Sequence, residues 1–200
     1  LGFLEESCTL RPLNNNLLDQ AKPFICDDAD LNDFFANDCI NYNNELLGRT
    51  YCFTFDEEPS RIVCAFTVSN DSIKAKLLPK SSKRRVGKDI SHVKRGIKSY
   101  PAVLIGRLGV ATDFSGKGIG KELMNFIKAW FIDGANKTGC RFVVVDAYNS
   151  PKVLSYYTKN DYKFLFSLEN EEKEYSAITT DQPLATRLLY YDLILLAKSE

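Results

Sequence analysis

The residue types and spacing most suited to chemistry lie in Leu108-Gly109-Val110-Ala111-Thr112-Asp113-Phe114-Ser115-Gly116-Lys117-Gly118-Ile119-Gly120-Lys121-Glu122. An apolar run leads into a short turn, alternating glycines and a helical pattern. Glycine allows the backbone to aim successive N–H groups at one point, and a helix N-terminus adds partial positive charge. A phosphate or pyrophosphate fits such a turn. A Walker A loop is excluded: only three residues separate Gly116 from Gly120, and Glu122 stands where a magnesium-holding hydroxyl belongs. A dinucleotide fingerprint is excluded too, because the spacing is G-x-G-x-G and falls late in the chain. The glycines alone also fit a tight, well-packed strand-to-helix turn.

Other chemistries have thin support. The single histidine, His92, sits in a polar basic stretch with no ligand cluster, so no metal is expected. Cys8, Cys26, Cys39, Cys52, Cys64 and Cys140 include no Cys-x-x-Cys pair, and several lie in apolar runs. They read as buried thiols in a reducing, cytoplasmic compartment, not as a disulfide framework. The N-terminal residues lack the basic region of a signal peptide. No apolar run reaches the ~20 residues of a membrane span. The 200 residues, 44% of them hydrophobic, suit one domain with a real core.

These residues need a frame to hold them. Residues 7–13 read as a short strand and 14–16 as a polar loop. A helix opens near Cys26-Asp27-Asp28-Ala29-Asp30, carries Leu31, Phe34, Phe35, Tyr42 and Leu46, and stops at Gly48. Residues 49–55 and 61–68 form a hairpin about an acidic turn. Residues 71–100 read as a long loop or a pair of short helices. Residues 102–111 form a buried strand, 117–133 a helix and 141–147 another buried strand. Ser150 and Pro151 open a further helix. Strands at 162–168 and 187–196 flank an acidic hairpin, Glu169 to Glu174. The order describes a single mixed α/β domain around one sheet.

The motifs now point to a family. Ser115-Gly116-Lys117-Gly118-Ile119-Gly120 resembles the [Q/R]-x-x-G-x-[G/A] hallmark of the GNAT superfamily of acyl-CoA N-acyltransferases. Tyr156-Tyr157-Thr158-Lys159-Asn160-Asp161-Tyr162 resembles its later aromatic-Tyr-x-x-x-Gly-Phe signature. Ser115 stands for the usual Gln or Arg, and Asp161 for the usual glycine. Residues 25–35, 47–51 and 100–110 look like a branch that includes toxins acetylating aminoacyl-tRNA. The resemblance implies a central mixed, mostly antiparallel sheet flanked by helices, splayed to form a cofactor cleft over one domain, residues 1–200.

It also implies roles. Acetyl-CoA is the acyl donor. Leu108, Gly109 and Val110 pair with the pantetheine arm, and Ser115, Gly116, Lys117, Gly118, Ile119 and Gly120 hold the pyrophosphate, with Asn149 near the next helix. The Val110 N–H polarises the thioester carbonyl and Tyr157 is the general acid, where residue type alone reads a packed aromatic. The strand carries Arg107 and no carboxylate, so no general base is evident; Asp146 acting through water is a weaker candidate. Lysine amines titrate near about 10.4 and α-amines near about 7.7–8.0, so this favours an α-amine acceptor. The expected function is transfer of acetyl to a primary amine by direct attack. The alternatives are the α-amine of aminoacyl-tRNA and a non-catalytic acyl-CoA-binding domain.

Zero net charge conceals two unequal parts. Residues 71–100 hold ten basic side chains against Asp71 and Asp89, a local +8, leaving −8 elsewhere. Arg84, Arg85, Lys88, Lys94, Arg95 and Arg107 are the candidates to meet a tRNA acceptor; a solvated, flexible insertion is the competing reading. Residues 187–196 are the candidate homodimer contact, and no membrane partner is expected.

Overall fold

A computed structural model describes residues 2–88, 90, 97–136 and 138–198. In chain order it contains α1 (Phe3–Ser7), β1 (Cys8–Pro12), α2 (Asn15–Gln20), α3 (Ala29–Asp33), a π-helical turn (Phe34–Asp38), α4 (Cys39–Asn44), β2 (Arg49–Phe55), β3 (Glu58–Ile73), α5 (Lys80–Val86), β4 (Tyr100–Val110), a 3-10 turn (Thr112–Phe114), α6 (Ile119–Ile132), β5 (Phe142–Tyr148), α7 (Pro151–Lys159), β6 (Lys163–Phe164), α8 (Glu169–Ser176), β7 (Thr186–Asp192) and α9 (Ile194–Ala197). The described strands form a seven-stranded sheet in the order β1-β2-β3-β4-β5-β7-β6. The β1–β2, β2–β3, β5–β7 and β6–β7 pairs are antiparallel, as expected. By compactness the chain divides into residues 1–69 with 105–127, and 70–104 with 128–200.

In the first unit, Leu13, Phe34, Phe35, Cys39, Cys52, Ile62 and Ala65 form a buried cluster. The expected helix after Cys26 is present but interrupted. Asp28 caps α3 through its carboxylate, which accepts from the Asp30 and Leu31 N–H groups at 3.0 and 3.1 Å. The π-helical turn then brings the consecutive Phe34 and Phe35 inward together, both buried. The stop differs from expectation. Leu46, at φ 59, turns the chain before Gly48. Gly48 is instead a close-approach residue, since a Cβ there would sit 2.8 Å from the Tyr42 ring. Asn14 also does more than sit in a loop: its Oδ1 accepts from Leu17 N and starts α2. The second hairpin strand, β3, runs on to Ile73 and takes the start of the expected loop into the sheet.

In the second unit, Ile73, Val86, Tyr100, Phe142, Leu165, Phe166 and Tyr190 are among the core residues. The expected acidic hairpin is a helix, α8. Glutamates favour helix, and Glu169, Glu171 and Glu172 in the first turn complement its dipole. Glu172 is buried and binds the Arg187 Nε at 2.7 Å. The expected strand over 162–168 shrinks to two residues. The one over 187–196 ends at Asp192, whose carboxylate accepts from Ile194 N at 3.2 Å and pairs with Arg141 at 2.7 Å. Strand β7 is flanked by β5 along its length and by β6 at Leu189 and Tyr190.

Among the described residues no helix is long and apolar enough to cross a membrane, and no cluster of ligating side chains could hold a metal. All six cysteines are free, five of them buried and Cys140 half-buried. Burial pushes the Cys8, Cys39 and Cys140 thiols up to about 11 and Cys52 to about 12. Thiolate is the reactive form. Titration with an aromatic disulfide reagent at pH 8 should therefore modify at most one thiol in the native protein, and all six after denaturation.

Candidate functional site

The glycine-rich turn is built on the end of β4. Ala111 N–H donates to Val63 O at 2.9 Å, and Thr112 donates through its N–H and hydroxyl to Ile25 O at 2.9 and 3.0 Å. These bonds fix where the strand stops. The 3-10 turn follows, closed by Ser115 N–H on Thr112 O. Gly116 and Gly118 then take φ +75 and +84. A Cβ at either would meet nothing within 4 Å, so the backbone conformation, not space, calls for glycine. Gly118 O accepts from Lys121 and Glu122, which begins α6.

Among the described residues, the N–H groups of Gly116, Lys117, Gly118 and Ile119 have no acceptor. They stand at the N-terminus of a 14-residue helix, whose dipole adds to their field. Lys117 contributes backbone here: its Nζ turns back to Asp113 O at 2.8 Å and lies over the Phe114 ring. Arg61 covers the same ring at 4.9 Å and pairs with Asp113 at 2.8 Å. Such a row of unpartnered donors fits a pyrophosphate.

On the preceding strand, Leu108 and Val110 are half-buried and Gly109 is buried. Gly109 has a packing reason. A Cβ there would lie 3.3 Å from the Phe24 ring and 3.4 Å from Cys26 Sγ. Arg107 is exposed and stacks over Phe34 at 5.1 Å.

Tyr157 belongs to the second unit, on α7. Pro151 holds the first helical position as expected, but the Ser150 hydroxyl makes no capping bond. The helix ends in a Schellman motif: Tyr162 N–H donates to Tyr157 O and Asp161 N–H to Thr158 O, both at 3.1 Å. Asp161 takes φ 65, the left-handed conformation that the family's glycine serves. The helix end is thus kept without that glycine, at a backbone cost of about 1–2 kcal/mol.

The half-buried Tyr157 packs edge-on to Tyr156 and Tyr162, with centroids at 5.1 and 5.6 Å. Desolvation pushes its hydroxyl up to about 12. Sequence reading passed over Lys128, which is buried with Nζ 2.7 Å from Asn160 O and 4.0 Å from the Tyr191 ring centroid. It ties α6 to the end of α7, and burial lowers its pKa. Asn149 has structural partners, its amide donating to Leu184 O at 2.8 Å and Glu169 Oε1 at 3.1 Å. Asp146 is exposed on β5.

Of the basic candidates, Arg84 and Arg85 lie on α5 and Lys88 in the turn after it, while His92, Lys94 and Arg95 fall outside the described residues.

A seven-stranded sheet with a glycine-rich strand–turn–helix and an aromatic-Tyr helix end is the arrangement that the resemblance to acyltransferases implies. The family model described as Acetyltransferase (GNAT) family matches residues 10–162, and the chain belongs to that family. Acetyl-CoA is the family's acyl donor, and the unpartnered donors of Gly116 to Ile119 suit its pyrophosphate. No curated protein matches the sequence significantly. Among solved structures, a tyrosine-to-phenylalanine mutant of KacT is similar at TM-score 0.68 and 16% identity, over 98% of this chain and 100% of that one. AtaT complexed with acetyl-methionyl-tRNAfMet gives 0.64 and 16% over 96% and 98%. AtaTR bound with AcCoA gives 0.62 and 15% over 97% and 98%. At these identities the likeness is one of fold.

Two outcomes are expected. Gly118→Ala forces a Cβ into left-handed backbone, at about 1–2 kcal/mol; acetyl-CoA affinity by calorimetry should fall roughly tenfold or the helix start should shift, with the circular dichroism of the sheet unchanged. Tyr157 has a folded pKa near 12, above the usual 10. Its contribution to stability is full below pH 10 and is lost as pH rises toward 12. In denaturant melts, Tyr157→Phe should lessen the loss over that interval.

Proposed function

We propose that this chain is an N-acetyltransferase that moves the acetyl group of acetyl-CoA to the α-amino group of an aminoacyl-tRNA, by direct attack within a ternary complex. The N–H groups of Gly116 to Ile119, with Gly120 and Ser115 completing the loop, bind the pyrophosphate. Leu108 to Val110 hold the pantetheine arm. The Val110 N–H donates to the thioester oxygen, on which negative charge grows as the amine adds. The Tyr157 hydroxyl gives its proton to the departing sulfur. The free thiols fit a reducing cytoplasm, and the whole sequence functions as one acetyltransferase domain.

The observation that carries the reading is one chain holding both a row of N–H donors from Gly116 to Ile119, without acceptors among the described residues, at a long helix, and a tyrosine whose hydroxyl desolvation pushes further above the neutral range. The choice of acceptor has separate support. Residues 100–110 include no carboxylate to deprotonate a lysine-type amine, and the basic residues of 71–100 suit a polyanion. A similar fold is found in AtaT complexed with acetyl-methionyl-tRNAfMet.

The decisive experiment measures acetyl-CoA turnover with charged tRNA, free amino acids and peptides as acceptors. Charged tRNA should be preferred, and Tyr157→Phe should lower kcat about 10²- to 10⁴-fold with little change in acetyl-CoA affinity. The rate should rise with deprotonation of an α-amine, near about pH 7.7–8.0. Tyr157 should impose no falling limb below pH 10, because its pKa lies near 12. A rate that rises only above pH 9 counts against the α-amine. Intact acetyl-CoA binding without turnover on any acceptor points to a non-catalytic binding domain.

A further inference from the structure

The second unit contains a cavity of about 430 Å³ lined by Arg85, Lys163, Phe164, Phe166, Ser167 and Arg187. Its three cations are not equivalent. Arg187 is met by Glu172 at 2.7 Å and Glu169 at 3.7 Å, and its guanidinium stacks on Phe164 at 5.0 Å. It is a neutralised wall that fixes the Phe164 ring.

Among the described residues the partners of Arg85 are uncharged: Leu165 O at 2.9 Å, Ser82 Oγ at 3.3 Å, Ser167 Oγ at 3.2 Å and the Tyr190 hydroxyl. Those bonds orient the guanidinium, and no described carboxylate compensates its charge. Lys163, exposed on the two-residue β6 and opposite Tyr190 in register, has no carboxylate partner among the described residues. Among the described residues the cavity thus offers two positive charges without a carboxylate partner, a hydroxyl and an aromatic ring. Arg85 comes from α5, which also carries Lys80, Lys83 and Arg84 and no acidic residue.

We infer that this cavity binds single-stranded RNA, taking one phosphate on Arg85, Lys163 and Ser167 and the adjoining base against Phe164. The volume is sufficient for one nucleotide. Uncompensated cations select the phosphate, and a phenyl face takes any base by stacking. Lys80, Lys83 and Arg84 continue the positive surface along which the strand runs. The inference rests on the aminoacyl-tRNA reading and states where on this chain the acceptor's strand is held.

The test uses the full chain and a fluorescein-labelled, uncharged single-stranded RNA dodecamer, so that binding is read without chemistry. Lys163→Glu should weaken binding about tenfold at 0.1 M salt and lower the salt slope by about one. Phe164→Ala should weaken it roughly five- to tenfold. Lys198→Glu, an exposed lysine on the same unit, should bind like the wild type, and acetyl-CoA affinity should be unchanged in all three. Equal RNA binding by Lys163→Glu and Phe164→Ala overturns the inference, even if charged tRNA is acetylated. So does an acidic peptide that Lys163→Glu releases while RNA binding is untouched. RNA binding that both variants weaken supports the cavity even if no charged tRNA is acetylated, in which case only the acceptor assignment fails.

Discussion

The glycine turn depends on backbone donors that the fold leaves without acceptors. A helix begins with N–H groups it cannot satisfy internally, and this chain lengthens the row by placing Gly116 and Gly118 in left-handed conformation ahead of α6. The loop must not collapse onto itself. That requirement explains the neighbouring bonds: Ala111 to Val63 and Thr112 to Ile25 pin the strand end from two directions. It also explains why Lys117 folds back on Asp113 and Phe114, leaving the donors uncovered.

Charge is handled differently in the second unit. Three ions there are buried among the described residues, and each has found partners, Asp192 in Arg141. Glu172 meets Arg187 and the Leu188 N–H, while burial still raises its pKa. Lys128 meets a carbonyl and two tyrosine rings, and burial lowers its pKa. Removing one partner of such a set costs more than the set contributes, because the remaining group is left desolvated. These ions fix the end of α7 and the α8–β7 contact, whereas the cations of α5 lie mostly on the surface.

Much of the frame was legible in the sequence because it follows from periodicity. The strands β2, β4, β5 and β7 and the helices α6 and α7 lie within a few residues of their expected places. The glycine turn and the Tyr157 helix end were legible because their chemistry is tied to spacing. What was missed has physical causes. Glu169 to Glu174 reads as a turn by charge, but glutamate is a good helix former, and Glu169, Glu171 and Glu172 complement the helix N-terminus. Lys128 lies one turn after the buried Met124, on the inward face; its type suggested solvent, and only the carbonyl of Asn160 explains it. The cavity at Lys163 draws on three separated segments, which no local pattern reports.

The π-helical turn at Phe34–Asp38 has a consequence for how this sequence can change length. Such a turn holds one residue more than an α-helix needs, so it stores an insertion without unravelling either flank. Losing a residue there would give a more regular helix and turn everything after it by about 100°. Asn43, whose side chain joins Leu13 O to Thr50 N across 3.2 and 2.9 Å, would then face away from both. The irregular turn is therefore what keeps the reading frame of the helix in step with the sheet edge, and a one-codon deletion in that stretch is less tolerable than most substitutions within it.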